Sequence, residues 1–134
     1  MIKMADDCIF CKIIEGSIPS FKLYESDKIL AFLDINPLSD GHFLIIPKTH
    51  AEKIHQVPDD ELTEILVCAK NLALKSGVQD YNILQNNGRI AHQIIMHVHF
   101  HLIPKPDRAT GLVMEWDTLK RTNDQLKEIQ DQYK

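Results

Sequence analysis

Apolar and polar positions fall into short, punctuated groups along most of this chain, the pattern of strands and brief helices. Residues 9–14, Ile-Phe-Cys-Lys-Ile-Ile, read as a short helix, with Asp7 placed to cap it and Gly16 just beyond its end. Residues 21–25 and 29–34 read as two strands joined by the turn Ser26-Asp27-Lys28, and Asn36-Pro37 breaks the second. A third strand spans 41–47, around the continuous apolar run Phe43-Leu44-Ile45-Ile46. After Pro58 the period changes. Leu62, Ile65, Leu66, Ala69, Leu72 and Ala73 recur at helical spacing, Asp59 can cap the helix and Gly77 closes it. A fourth strand covers 81–85, Asn86-Asn87-Gly88 forms a turn, and a fifth strand covers 98–103. Leu119, Leu126, Ile129 and Tyr133 then indicate an amphipathic terminal helix. The stretch from Asp117 onward is polar enough to be a frayed tail, or a helix that packs only on a partner subunit. Three strands, a helix and two strands predict an α+β domain on a mainly antiparallel five-stranded sheet.

Composition narrows the classes. A chain of 134 residues, 44% hydrophobic and 25% charged, is one soluble domain with a real core. The net charge of -4 and the lack of a Lys/Arg cluster argue against a nucleic-acid polymer as partner but leave room for a single nucleotide. No apolar run approaches the ~20 residues that span a membrane. Residues 1–7 lack the long apolar stretch of a secretory signal. Three cysteines, an odd number, do not make a disulfide framework, so the expected setting is reducing: cytoplasm, or nucleus.

The chemistry concentrates in His97-Val98-His99-Phe100-His101-Leu102-Ile103. Side chains of a strand alternate between faces, so the three imidazoles should share one face while Val98, Phe100 and Leu102 enter an apolar layer on the other. Imidazole titrates nearest neutrality, so three on one surface point to proton transfer, nucleophilic attack or metal binding. His42 and His50 flank the third strand. His55 reads as a surface residue, and His92 is left outside the chemistry. Cys8 and Cys11 form a Cys-x-x-Cys, which is a metal half-site, a redox pair or neither. A tetrahedral zinc site would need two more ligands, with His50 and one member of the triplet as candidates. Cys68 reads as a small buried apolar residue.

Taken in order, Cys8-Ile9-Phe10-Cys11-Lys12-Ile13-Ile14, Ile18-Pro19, residues 31–37 (Ala-Phe-Leu-Asp-Ile-Asn-Pro), Gly41-His42, residues 46–50 (Ile-Pro-Lys-Thr-His), Asn86-Asn87-Gly88 and the histidine run resemble the histidine triad (HIT) family, in its Hint branch. The resemblance spans about residues 6–116, which sets a domain over 6–116 and a helical or flexible extension over 117–134. It implies a nucleotidyl hydrolase or transferase that cleaves nucleoside phosphoramidates or adenylated substrates at the α-phosphate and releases AMP or GMP. It also implies a homodimer in which the sheets join and the C-terminal segments meet.

The residue roles follow from the same resemblance. His99 would attack phosphorus and form a covalent nucleotidyl-imidazole that water opens. Its other ring nitrogen should donate to an acceptor, such as a backbone carbonyl. His101 and His42, with Asn86, would face the charged oxygens. His97 completes the triad. Ile9, Phe10, Ile13, Phe32 and Ile35 would line the base and ribose cleft, with Asp34 on the ribose hydroxyls. Ile9, Ile13 and Phe32 also read as plain core, and Asp34 as a turn former. Structural zinc would be held by Cys8, Cys11, His50 and His97. Ile94 stands where many relatives have a hydroxyl or acidic residue near the leaving group, and Gln93 is the substitute within reach. Two other readings are a zinc-bearing regulatory nucleotide module and a diadenosine polyphosphate hydrolase.

Overall fold

The computed structural model describes residues 5–134, so residues 1–4 of the N-terminal stretch read above lie outside the described residues. Helix α1 (Ile9–Glu15) comes first, followed by β1 (Lys22–Glu25), β2 (Ile29–Leu33) and β3 (Phe43–Pro47). Helix α2 (Asp59–Ser76) crosses to β4 (Tyr81–Gln85), then come β5 (Phe100–Pro104) and α3 (Asn123–Asp131). The five strands form one antiparallel sheet in the order β1-β2-β3-β5-β4.

The period of two along the strands assigns the faces. Ile29 and Ala31 of β2, Phe43 and Ile45 of β3, and Val98, Phe100 and Leu102 pack with Ile65, Cys68, Ala69 and Ala73 of α2. Leu30, Phe32, Leu44 and Ile46 face the other way, onto Cys8, Phe10, Cys11 and Ile13 of the α1 region. Strand β3 is buried throughout, which explains its unbroken apolar run. Leu66, counted in the helical pattern, is instead 55% exposed.

Local chemistry departs from the sequence reading at four places. Cys8, rather than Asp7, caps α1: its Sγ accepts the Cys11 N–H at 3.3 Å. Asp59 is the first residue of α2 and not its cap; Pro58 holds that position, and Asp59, Asp60 and Glu61 place negative charge on the first turn. The last strand starts at Phe100 and not Val98, because the Val98 N–H leaves the ladder and donates to the Ala51 carbonyl at 2.8 Å. Leu119 precedes the terminal helix, whose cap is Thr122 with Gln125 reaching back to it. Gly111 has φ of +93°, and a Cβ there would lie 2.6 Å from the Pro104 carbonyl oxygen. Only glycine lets the chain fold back against the end of β5 at this point. Beyond Leu112 the side chains are mostly exposed, including all of α3. Among the described residues no helix is long and apolar enough to cross a membrane.

Candidate active site and metal cluster

A cavity of about 480 Å³ lies on the sheet face that carries α1. Its floor is a cross-strand row. Phe32 pairs with Leu44, Leu44 with His101, and His101 with Leu84, and all four line the cavity. Phe10, Ile9 and Ile13 of α1 form one wall, with Asp34 and Ile35 at the end of β2. Asn86 and His92 stand on the opposite side, after β4. The size suits a small-molecule site. Phe10 packs its ring edge-on against Phe32, His97 and His99, at 5.8, 5.9 and 5.1 Å between centroids.

Hydrogen-bond partners assign the tautomer of each imidazole, because a carbonyl oxygen can only accept. His99 Nδ1 lies 2.7 Å from the His97 carbonyl oxygen, so Nδ1 carries the proton and Nε2 keeps a free lone pair. Burial lowers the His99 pKa, so the neutral, nucleophilic form is favoured. The Leu38 N–H donates to His42 Nδ1 at 3.1 Å, so His42 Nε2 carries the ring's single N–H proton. His42 Nε2 lies 2.9 Å from His101 Nδ1 and donates to it, so His101 presents its own Nε2–H. A backbone amide thus sets the donor polarity of His101 through two rings. Burial, then the neighbouring His99 and His42, push the His101 pKa down to about 4. The Asp34 carboxylate accepts the Asn36 N–H at 2.8 Å and reaches within 3.5 Å of His42 Nε2.

His97 turns to a different task. Its Nε2 donates to the Pro47 carbonyl at 2.8 Å, so the bare Nδ1 faces Cys8 Sγ at 3.4 Å and Cys11 Sγ at 3.6 Å. His50 Nδ1 lies 3.4 Å from Cys11 Sγ. The four donor atoms converge within one metal-sized cluster. A tetrahedral ion with ordinary zinc bond lengths requires sulfur–nitrogen edges of about 3.6 Å, which these distances match. The Ala5 N–H bonds Cys11 Sγ at 3.4 Å, the Cys11 N–H bonds Cys8 Sγ, and the Pro47 carbonyl orients His97. These are supports that metal ligands need. Burial raises the Cys11 thiol to about 11, so metal binding there must expel a proton.

Among the residues named from the sequence, Asp34, Asn86, His42, Ile9, Phe10, Ile13, Phe32, Ile35, His99 and His101 all line the cavity. His97 lies behind it. Gln93 does not line it. Its side chain is 2% exposed and bonded to the Gly88 N–H at 2.7 Å and to the Glu52 and Ile95 carbonyls at 2.7 and 3.1 Å. Gln93 therefore ties the loop after β4 to the loop after β3 and has no group left to replace a missing donor at Ile94. Ile94 itself lines the cavity and is 73% exposed.

His92, set aside on sequence, also lines the cavity. No signal in the sequence marks it, because its left-handed backbone at the end of the Arg89–Ala91 turn follows no strand or helix period. Glu61 was missed as well. Its buried carboxylate accepts the Thr49 N–H and hydroxyl, which steadies the turn that carries His50. No periodicity marks a long-range anchor of this kind.

A family profile described as the HIT domain matches residues 15–108. Adenosine 5'-monophosphoramidase HNT1 of Candida albicans is 52% identical over 136 aligned positions, covering 90% of each chain. The protein of that name in Saccharomyces cerevisiae is 54% identical over 119 positions, covering 89% of this chain and 75% of its own. The crystal structure of a histidine triad nucleotide-binding protein from Candida albicans superposes with a TM-score of 0.89 at 51% identity, covering 95% of this chain and 94% of that one.

Proposed function

This chain belongs to the HIT domain family, and we propose that it hydrolyses nucleoside phosphoramidates, with a purine nucleoside, to the nucleoside monophosphate and an amine. One observation carries the reading: the free lone pair of His99 Nε2 borders a nucleotide-sized cavity while its Nδ1–H is held by the His97 carbonyl. Nε2 attacks phosphorus and the phosphorus–nitrogen bond breaks. The amine leaves with a proton taken from solvent, since Ile94 and Leu84 can give none, and the water that later opens the intermediate returns a proton to solvent. The adenylylated ring is cationic, and the His97 carbonyl, still accepting from Nδ1, offsets that charge. Water then attacks the same phosphorus, AMP leaves, and His99 returns to its neutral form.

His101 Nε2–H, with the Asn86 amide, is the donor set for the phosphoryl oxygens. His42 acts through His101 by holding its tautomer. Asp34 accepts from the ribose hydroxyls, and Ile9, Phe10, Ile13, Phe32 and Ile35 enclose the base. The catalytic and binding apparatus lies within residues 6–116, with 117–134 as an extension.

The donor set of Cys8, Cys11, His50 and His97 suits zinc, which when bound ties α1 to the strand that bears the triad. The chain pairs with a second copy through β4, an edge strand whose Tyr81 and Ile83 are 41% and 47% exposed. Sedimentation at working concentration is expected to return twice the chain mass, and a monomer would contradict the pairing. The reaction is tested by mixing enzyme with adenosine phosphoramidate, quenching in alkali and mapping the adenylyl group. The expected site is His99. Label on another residue, or none during rapid turnover, would overturn the covalent route.

A further inference from the structure

The strand order lays the cavity out as a trough. Asp34 and Phe32 lie at its β2 side, His99 and His101 near the middle, and Leu84, Asn86, His92 and Ile94 at its β4 side. With the nucleoside over β2, the group that departs from phosphorus is left to the β4 side, so this inference rests on the reaction proposed above. Three observations bear on that side.

His92 is the one non-glycine residue with positive φ, 70°, among the described residues. Glycine would take that conformation at less cost, so an imidazole is held there against local preference. The holding is firm: the His92 N–H donates to the Arg89 carbonyl at 3.0 Å, and the His92 carbonyl accepts from Asn86 Nδ2 at 3.3 Å. The next residue is the buried, fully bonded Gln93. Second, Arg89 belongs to the same turn and the Lys53 ammonium lies near it, both outside the cavity lining. A Cβ placed on Gly88 would lie 4.0 Å from Lys53 Nζ. Among the described residues neither Lys53 nor Arg89 forms an ion pair. Third, Ile94, Ile95 and Leu84 supply only apolar surface on this side.

We propose that His92, backed by the Arg89 and Lys53 charges, is a specificity residue that selects leaving groups bearing an anionic substituent, with a carboxylate-bearing amine as the substrate class. The ring N–H meets the carboxylate, the two basic side chains set a positive local field, and Ile94 and Leu84 cover the aliphatic part of the amine.

The test compares three adenosine phosphoramidates whose leaving groups are ammonia, an amino acid joined through its amine, and the methyl ester of that amino acid. The wild-type chain is expected to favour the free carboxylate over its ester by about tenfold in kcat/KM, the value of one partly solvated charge-assisted hydrogen bond. His92→Gly should bring that ratio near one without lowering the melting temperature, since glycine suits the backbone there. His92→Asn, which tolerates positive φ and keeps a neutral donor, should retain part of the ratio. Equal rates for acid and ester in the wild type, or an undiminished ratio in His92→Gly, would overturn the inference. A lower melting temperature for His92→Gly together with an unchanged ratio would assign the residue to the loop alone. Turnover of the ammonia substrate reports separately on the reaction, so a chain that cleaves it without any carboxylate preference fails here only.

Discussion

The His97 carbonyl oxygen sits 2.7 Å from His99 Nδ1, while the His97 ring turns its own Nδ1 toward the thiols of Cys8 and Cys11. One residue thus touches the proposed nucleophile through its backbone and the candidate metal cluster through its side chain. Both residues lie on the segment that leads into β5. The His97 and His99 rings share a face, so the second ring reaches the first residue most directly through the main chain.

The cluster should therefore hold metal and support α1. Elemental analysis of the purified chain is expected to find about one zinc per chain, and Cys8→Ser with Cys11→Ser should abolish it. The same double variant should unfold at lower temperature and bind AMP more weakly, because α1 contributes Ile9, Phe10 and Ile13 to the cavity. Metal retained by the double variant would contradict the ligand set.

Stability should fall as pH falls through the histidine range. Burial, then the neighbouring His99 and His42, lower His101 from 6.5 to about 4, and burial lowers His42 too; the two rings meet each other and the Asp34 carboxylate, and His101 also meets His99. Above 6.5 neither the folded nor the unfolded chain protonates these rings. Between 6.5 and about 4 the unfolded chain takes up protons that the folded one refuses, so unfolding becomes easier. Urea titrations at stepped pH should show a shallower loss in His101→Gln than in the wild type. Parallel curves would contradict a neutral buried ring at this position.

Gln93 is predicted to matter for stability and not for chemistry. Gln93→Leu strands the Gly88 N–H and the Glu52 and Ile95 carbonyls, at a cost of about 2 kcal/mol. Denaturant unfolding measures this. A stable variant with a collapsed kcat would return Gln93 to the active site.

Much of this was legible in the chain. The histidine alternation specified a face, and the structure puts His99 and His101 on the cavity and His97 against the cysteines, although the strand itself starts only at Phe100. The five strands and the long helix were readable from apolar spacing. What escaped notice depended on partners distant in sequence. Gln93 looked like a spare donor because nothing nearby reveals that the Glu52 carbonyl claims it. His92 looked incidental because a positive φ leaves no trace in a non-glycine residue. Cys8 was weighed as part of a Cys-x-x-Cys and not as a helix cap, although its sulfur accepts a helix N–H as a cap does.

The account turns on His99 as nucleophile. The direct measurement is steady-state release of AMP from an adenosine phosphoramidate by the wild type and by His99→Ala, with metal content and melting temperature checked in both. The account predicts a loss of at least ~10³-fold in kcat/KM for a metal-loaded, folded variant. Turnover at a rate comparable to the wild type would contradict it.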